Sequence, residues 1–397
     1  MKNGYKKTSL GILPNEWEVV QLEEICEINQ GLQIAISKRY TENAENRYFY
    51  ITNEFLKETC KTKYYIENPP KSVICCKDDI LMTRTGNTGQ VVTNINGVFH
   101  NNFFKIKYNK KTIDKKYFLY ILSANKMQHK ILTKAGGSTI LDLKHSDFYS
   151  LKIPLPPLNE QRKIAEILSS YDEAILLTSN LISAKKEFKK ALMQNLLTAK
   201  IRFPNFNGIW KEVKLGKFIK EQTIRNTKNI NLVLSVTNKF GFVEQSNYFE
   251  KEVASKDTSN YKVIKNGNFA YNPSRINVGS IALLENFEVG ILSPMYVIFD
   301  CLDGINKKFL KYWLQSHNFT GNLYKYLAGS VRETLNFKDM KNFKIKLPNL
   351  AEQTKIAEIL SSVDDEIDLL NQKLEQLNLQ KRGIIQNLLS GKVRVKI

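Results

Sequence analysis

Apolar residues recur at alternating steps of four and three in two stretches, one near the middle of the chain and one at its end. The second stripe runs Ile356, Leu360, Val363, Ile367, Leu370, Leu374, Leu377, Lys381, Ile384, Leu388, and only Lys381 is polar. The first runs Ile164, Leu168, Tyr171, Ile175, Thr178, Ile182, Lys185, Lys189, Leu192, Leu196 and is weaker in its middle. A 3.5-residue period sustained this far predicts two long helices that form a coiled coil. No proline lies within 158–203 or 349–397, and Pro157 and Pro348 stand just before each helix, where a missing N–H does no harm. Gly383 weakens the second helix by about 1 kcal/mol against Ala. About 38 residues at 1.5 Å each make a rod of roughly 57 Å. A helix packed on its own domain would also show a stripe. Two matched narrow stripes in one register fit pairing with each other, in either direction around a two-fold axis.

Ahead of each helix lies a stretch broken into short apolar runs. Val73–Cys76, Ile80–Met82, Phe103–Ile106, Ile281–Leu284 and Met295–Phe299 read as strands. Residues 115–123 and 307–315 read as short helices, and Gly- and Asn-rich turns separate the elements. These stretches predict α+β domains.

The two halves repeat one plan. Residues 159–175 and 351–367 are identical at twelve of seventeen positions, at a constant offset of 192. The register extends to Gln194–Leu197 with Gln386–Leu389, to Lys200 and Arg202 with Lys392 and Arg394, and upstream to Leu155-Pro156 with Leu347-Pro348. Further upstream the likeness thins to Trp17, Val20, Leu22 against Trp210, Val213, Leu215, at an offset of 193. The domain plan is therefore 1–158 variable, 159–203 helix, 204–350 variable and 351–397 helix. Two units are too few for a short-period solenoid.

Charge adds a partner class. Fifty-nine Lys and Arg against thirty-nine Asp and Glu leave a net charge of +20. The variable blocks carry +8 and +9, the helices +3 and zero. Such an excess points to a polyanion, most often nucleic acid, bound by the variable blocks. No stretch of about eighteen apolar residues suggests a membrane span, and the first residues do not resemble a secretion signal. Five cysteines without a Cys-x-x-Cys pair argue against a disulfide framework or zinc finger and fit reduced cytoplasmic thiols.

Catalytic patterns are missing. There is no G-x-x-x-x-G-K-[ST] loop. The four histidines have no metal-ligand spacing, and no proline is followed by aspartate, as the common nuclease signature requires. Asn68-Pro69-Pro70-Lys71 resembles the Asn-Pro-Pro-aromatic motif of adenine methyltransferases, but Lys71 replaces the stacking aromatic and a turn explains it better. We expect no catalytic site and no bound metal.

Two polar loops are the candidates for DNA contact. Thr83–Gln90 offers Arg84, Thr85, Asn87, Thr88 and Gln90, and Tyr271–Ser280 offers Asn272, Ser274, Arg275 and Asn277. Arg pairs with guanine and Asn or Gln with adenine in the major groove, while hydroxyls suit phosphates. A plain polar loop would carry the same residue types. Ser138, beside Gly136-Gly137, and Arg332, beside Gly329-Ser330, form a second pair. Lys38, Arg39, Arg225 and Lys239 add basic positions that also suit an ordinary solvated surface.

The stretches PLPPLNEQRKIAEILSSYD (154–172) and LPNLAEQTKIAEILSSVD (347–364) resemble the repeated regions of type I restriction–modification specificity subunits. The stretch 271–280 and the Trp17 and Trp210 entry segments are similar to that family's target recognition domains, and the likeness runs the length of the chain. The resemblance implies two α+β target recognition domains, each reading one half of a split DNA site. It implies an antiparallel coiled coil that relates them by a pseudo-two-fold repeat, sets the spacer and docks two methyltransferase subunits. It further implies restriction subunits in the full complex, no activity of this chain alone, no cofactor of its own, and S-adenosylmethionine and ATP held by the partners. Two readings compete: a self-sufficient DNA-modifying enzyme, which methyl transfer by the purified chain would reveal, and a coiled-coil scaffold without DNA affinity.

Overall fold

A computed structural model describes residues 4–57, 59–60, 62–136, 140–248, 257–327 and 334–396. The chain divides into two compact units, Met1–Leu177 with Leu374–Ile397, and Thr178–Lys373. Both divisions fall inside the long helices Leu158–Leu196 and Leu350–Leu389. Each unit thus holds one variable block, part of one helix and part of the other.

In the first unit an antiparallel sheet takes the order Cys26–Gln30, Phe103–Tyr108, Ile80–Thr83, Val91–Val92. The strand Ile80–Thr83 is buried along its whole length because the period of two feeds two cores. Ile80, Met82, Phe104 and Ile106 face the helices Lys115–Ser123 and Asn125–Lys134, with Tyr117, Phe118 and Ile131. Leu81 and Phe103 face the other way, onto a second sheet of order Tyr65–Glu67, Arg47–Ile51, Gly97–Phe99, Ile74–Cys75.

The second unit builds the same central sheet from Ile219–Gln222, Val297–Cys301, Phe269–Tyr271 and Ile281–Leu283. Phe269, Tyr271 and Phe299 pack toward the helix Lys307–Gln315, whereas Ala270 and Ile298 pack toward the hairpin Leu234–Thr237 and Gly241–Glu244. The short helices match the sequence reading, whereas the long ones end at Leu196 and Leu389, short of the expected 203 and 397, and the chain turns at positive φ at Ala199 and Gly391. Two strands begin later than expected. Pro70 leads Lys71–Val73 into a 3-10 turn before Ile74, and a turn at Ser293–Tyr296 delays the last strand to Val297.

A strand pair leads into each long helix. Glu18–Gln21 pairs with Lys152–Leu155, and Lys211–Lys214 pairs with Lys344–Leu347. The repeated Glu-Gln then does the joining. Glu160 is fully buried, accepts from Trp17 Nε1 at 2.9 Å, and meets the Arg394 guanidinium at 2.6 and 2.9 Å. Glu352 accepts from Trp210 at 3.3 Å and from Arg202 at 2.9 and 2.8 Å. Gln161 accepts from Asp114 N and donates to Thr112 O and Pro156 O; Gln353 repeats this with Asn306 N, Gly304 O and Pro348 O. The identity of these residues in the two copies therefore reflects two copies of one buried joint.

Within each unit the helix segments run antiparallel. In the second unit Lys185 meets Glu366 at 2.8 Å and Lys189 meets Asp364 at 2.6 Å, so one number falls as the other rises. In the first unit Lys381 pairs with Asp172, while Ile164, Ala165 and Leu168 share a core with Leu388 and Leu389. The lysines that interrupt the two stripes, Lys189 and Lys381, are thus equivalent, and each binds the equivalent Asp of the opposite helix. Tyr120 and Tyr312 donate to those same carboxylates at 2.5 and 2.8 Å, tying the variable block into each joint.

Candidate nucleic-acid interface

The two candidate loops occupy one place in the fold, joining the third and fourth strands of each central sheet. Their interiors differ.

In the first unit the loop folds around its own polar groups. Thr83 Oγ1 bonds the Asn87 and Gln90 carbonyls, and Thr88 Oγ1 donates to Arg84 O at 3.0 Å and Leu141 O at 2.9 Å. Arg84 forms a bidentate pair with Asp142, Nε to Oδ1 at 3.1 Å and Nη2 to Oδ2 at 2.7 Å, and lies over the Phe104 ring. Thr85 Oγ1 donates to the same carboxylate at 2.5 Å. Burial opposes the charge on Asp142, but the bonds from Arg84 and Thr85 and the Arg84 charge outweigh it and hold the carboxyl below its usual range. Arg84, Thr85 and Thr88 are therefore occupied within the protein. Asn87 and Gln90 are exposed.

In the second unit Asn272 is buried, caps the 3-10 turn Pro273–Val278 through Ser274 N at 3.0 Å, and contacts Met295 Sδ. Ser274, Arg275 and Asn277 point outward, and no acidic side chain pairs with Arg275 among the described residues. Gly279 closes the turn at φ +88°, a conformation that favours glycine. Lys239 is exposed at the neighbouring hairpin tip, over the Phe240 ring at 5.0 Å.

The remaining candidates scatter. Lys38 is exposed. Arg39 is engaged inside the first unit, bonding Ile34 O at 2.9 Å and lying over Tyr50 and Tyr64. Arg225 bonds Asn260 Oδ1 at 3.0 Å. Ser138 and Arg332 lie outside the described residues. The pairing of Asp142 with Arg84 is not legible in the sequence, because the two stand 58 residues apart with no shared local pattern. Among the described residues no His, Cys, Asp and Glu cluster is arranged to hold a metal, and no helix is long and apolar enough to cross a membrane.

The outward groups of these loops are amides, hydroxyls and one free guanidinium, presented from sheet ends on blocks of strong positive charge. That set can bond base edges and phosphates alike.

The model of the type I restriction modification DNA specificity domain matches residues 14–185 and again 209–379. The type I restriction enzyme MjaVIII specificity subunit of Methanocaldococcus jannaschii is 29% identical over 409 residues, covering 97% of this chain and 94% of that protein. The EcoBI specificity subunit of Escherichia coli is 20% identical over 421 residues, covering 96% and 86%. Among solved structures, the type I restriction–modification S subunit from M. genitalium superposes with a TM-score of 0.59 at 16% identity, covering 94% of this chain and 96% of that one. The HsdS subunit from Thermoanaerobacter tengcongensis gives 0.51 at 18%, covering 96% and 98%. At these identities the structural likeness concerns the fold alone.

Proposed function

Because the chain belongs to the family of type I restriction–modification DNA specificity proteins, we propose that it is the DNA-recognition subunit of such a complex. Each variable block reads one half of a split duplex site, and the paired helices set the spacer. The observation that carries this reading is the duplication itself. The central sheets of the two blocks share one strand order yet present different loop side chains, Asn87 and Gln90 in one and Ser274, Arg275 and Asn277 in the other. One frame with two different reading surfaces suits an asymmetric split target.

The helices support the partner reading. Glu166 with Glu358, Ser170 with Ser362 and Leu177 with Leu369 are the same residue at the 192 offset and are exposed in both copies. Leu177 and Leu369 remain 60% and 65% exposed. These matched outward positions offer two copies of one methyltransferase subunit a similar seat. The chain itself is non-catalytic in this reading and cytoplasmic like its DNA. S-adenosylmethionine and ATP belong to the methyltransferase and restriction partners, in keeping with a sequence that carries no P-loop motif.

Hydroxyl-radical footprinting of the chain's complex with a methyltransferase subunit tests the proposal. Two protected patches flanking an unprotected spacer are expected. One continuous patch, or none, would overturn it.

A further inference from the structure

A second internal repeat lies outside the 192 register. Ile51-Thr52-Asn53-Glu54-Phe55 matches Val236-Thr237-Asn238-Lys239-Phe240 at an offset of 185. Both pieces leave equivalent strands. Arg47–Ile51 runs parallel to Gly97–Phe99, and Leu234–Thr237 follows a parallel bridge from Val233 to Ile291.

Each turn is fastened to the candidate loop of its own unit. Asn53 Nδ2 donates to Thr85 O at 2.7 Å, and Asn53 packs so close to Gly86 that a Cβ there would sit 2.7 Å from it. In the second unit Ser280 Oγ donates to Val236 O at 3.0 Å, and a Cβ on Gly279 would meet Asn238 Cβ at 3.6 Å. Both glycines have positive φ, +87° and +88°. The turns are also held internally. Thr237 Oγ1 donates to Gly241 O and accepts from Phe240 N, and Phe55 N donates to Thr52 O.

The residue after the Asn is exposed in both units and opposite in charge, Glu54 in one and Lys239 in the other. The Glu54 carboxylate has no hydrogen bond or ion pair among the described residues. An unpaired carboxylate on a surface that meets DNA is repelled by phosphates, so it costs non-specific affinity. It gains only by accepting a hydrogen bond from a base edge. Glu accepts from the cytosine N4 amino group, whereas Lys donates to guanine O6 and N7.

We propose that Glu54 and Lys239 are equivalent base-reading positions, one in each half-site, with Glu54 selecting cytosine and Lys239 selecting guanine. The proposal rests on the DNA-recognition reading above. It goes beyond that reading by assigning one discriminating side chain, and its base, to each unit.

The test is methylation of a plasmid library with randomised half-sites by the complex of this chain with its methyltransferase. The wild type is compared with Glu54→Ala, Lys239→Ala and the exchanges Glu54→Lys and Lys239→Glu. Each Ala variant should relax one base position in one half-site only, by roughly 5- to 150-fold in discrimination. The exchanges should move the preference from cytosine toward guanine and from guanine toward cytosine. Because both side chains are exposed, thermal melting should be unchanged, which separates loss of reading from loss of fold. An unaltered motif, or equal weakening or strengthening on all sequences, overturns the assignment while leaving the DNA reading intact. A wild-type complex that methylates without any motif overturns both.

Discussion

A buried carboxylate survives only when it is paired, because its charge has left water. Glu160 and Glu352 are 0% and 1% exposed, and each is satisfied by a Trp N–H and an Arg. Removing Arg394 leaves Glu160 without its counter-charge. Arg394→Ala should therefore cost about 3 kcal/mol of stability in urea unfolding. Arg202→Ala should do the same through Glu352. A loss under about 0.5 kcal/mol would show a merely superficial pair. Tyr120 gives a pH signature. Burial first, and then the bond it donates to Asp172, pushes its phenol up to about 12. Its folded value lies above the unfolded one near 10, so its contribution is whole below that pH and is lost as pH rises toward 12. Tyr120→Phe should flatten that alkaline loss of stability, and an unchanged pH profile would contradict the buried Tyr120–Asp172 bond. Such contacts were not legible in the sequence. Arg84 looked like a base-reading arginine because its loop is polar and Gly-rich, and only the fold brings Asp142 against it.

At the scale of elements, periodicity carried far. The stripes placed the helices, the short apolar runs placed five of the strands, and the capping positions Asp114 and Asn306 begin the helices at Lys115 and Lys307. Direction was not in the pattern, since a stripe with either partner orientation looks alike. It is visible in charge pairs distant in sequence, Lys189 with Asp364 and Lys381 with Asp172. What reads along the chain as a defect in the stripe is a cross-helix bond in the fold. The apolar seam should still dominate. Ile367 is 7% exposed, so Ile367→Asp combined with Ile175→Asp buries charge and should lower the melting temperature by more than about 5 °C. Unchanged melting would remove the paired-helix account.

At the scale of the molecule, the net +8 and +9 of the variable blocks put the attraction for DNA where the loops are. Binding should therefore fall steeply with salt, for matched and unmatched duplexes alike, while the ratio between them changes less. The repeated plan was legible because the joint and the helices tolerate little change. The turns proposed to read bases were not, because Thr-Asn-Glu-Phe and Thr-Asn-Lys-Phe escape the main register by seven residues. The central claim is that this chain chooses where methylation falls. The most direct measurement is a map of N6-methyladenine on a plasmid, made by a co-expressed methyltransferase subunit with and without this chain. One split motif that disappears when the chain is omitted is the expected result. Methylation that is the same in its absence would contradict the account.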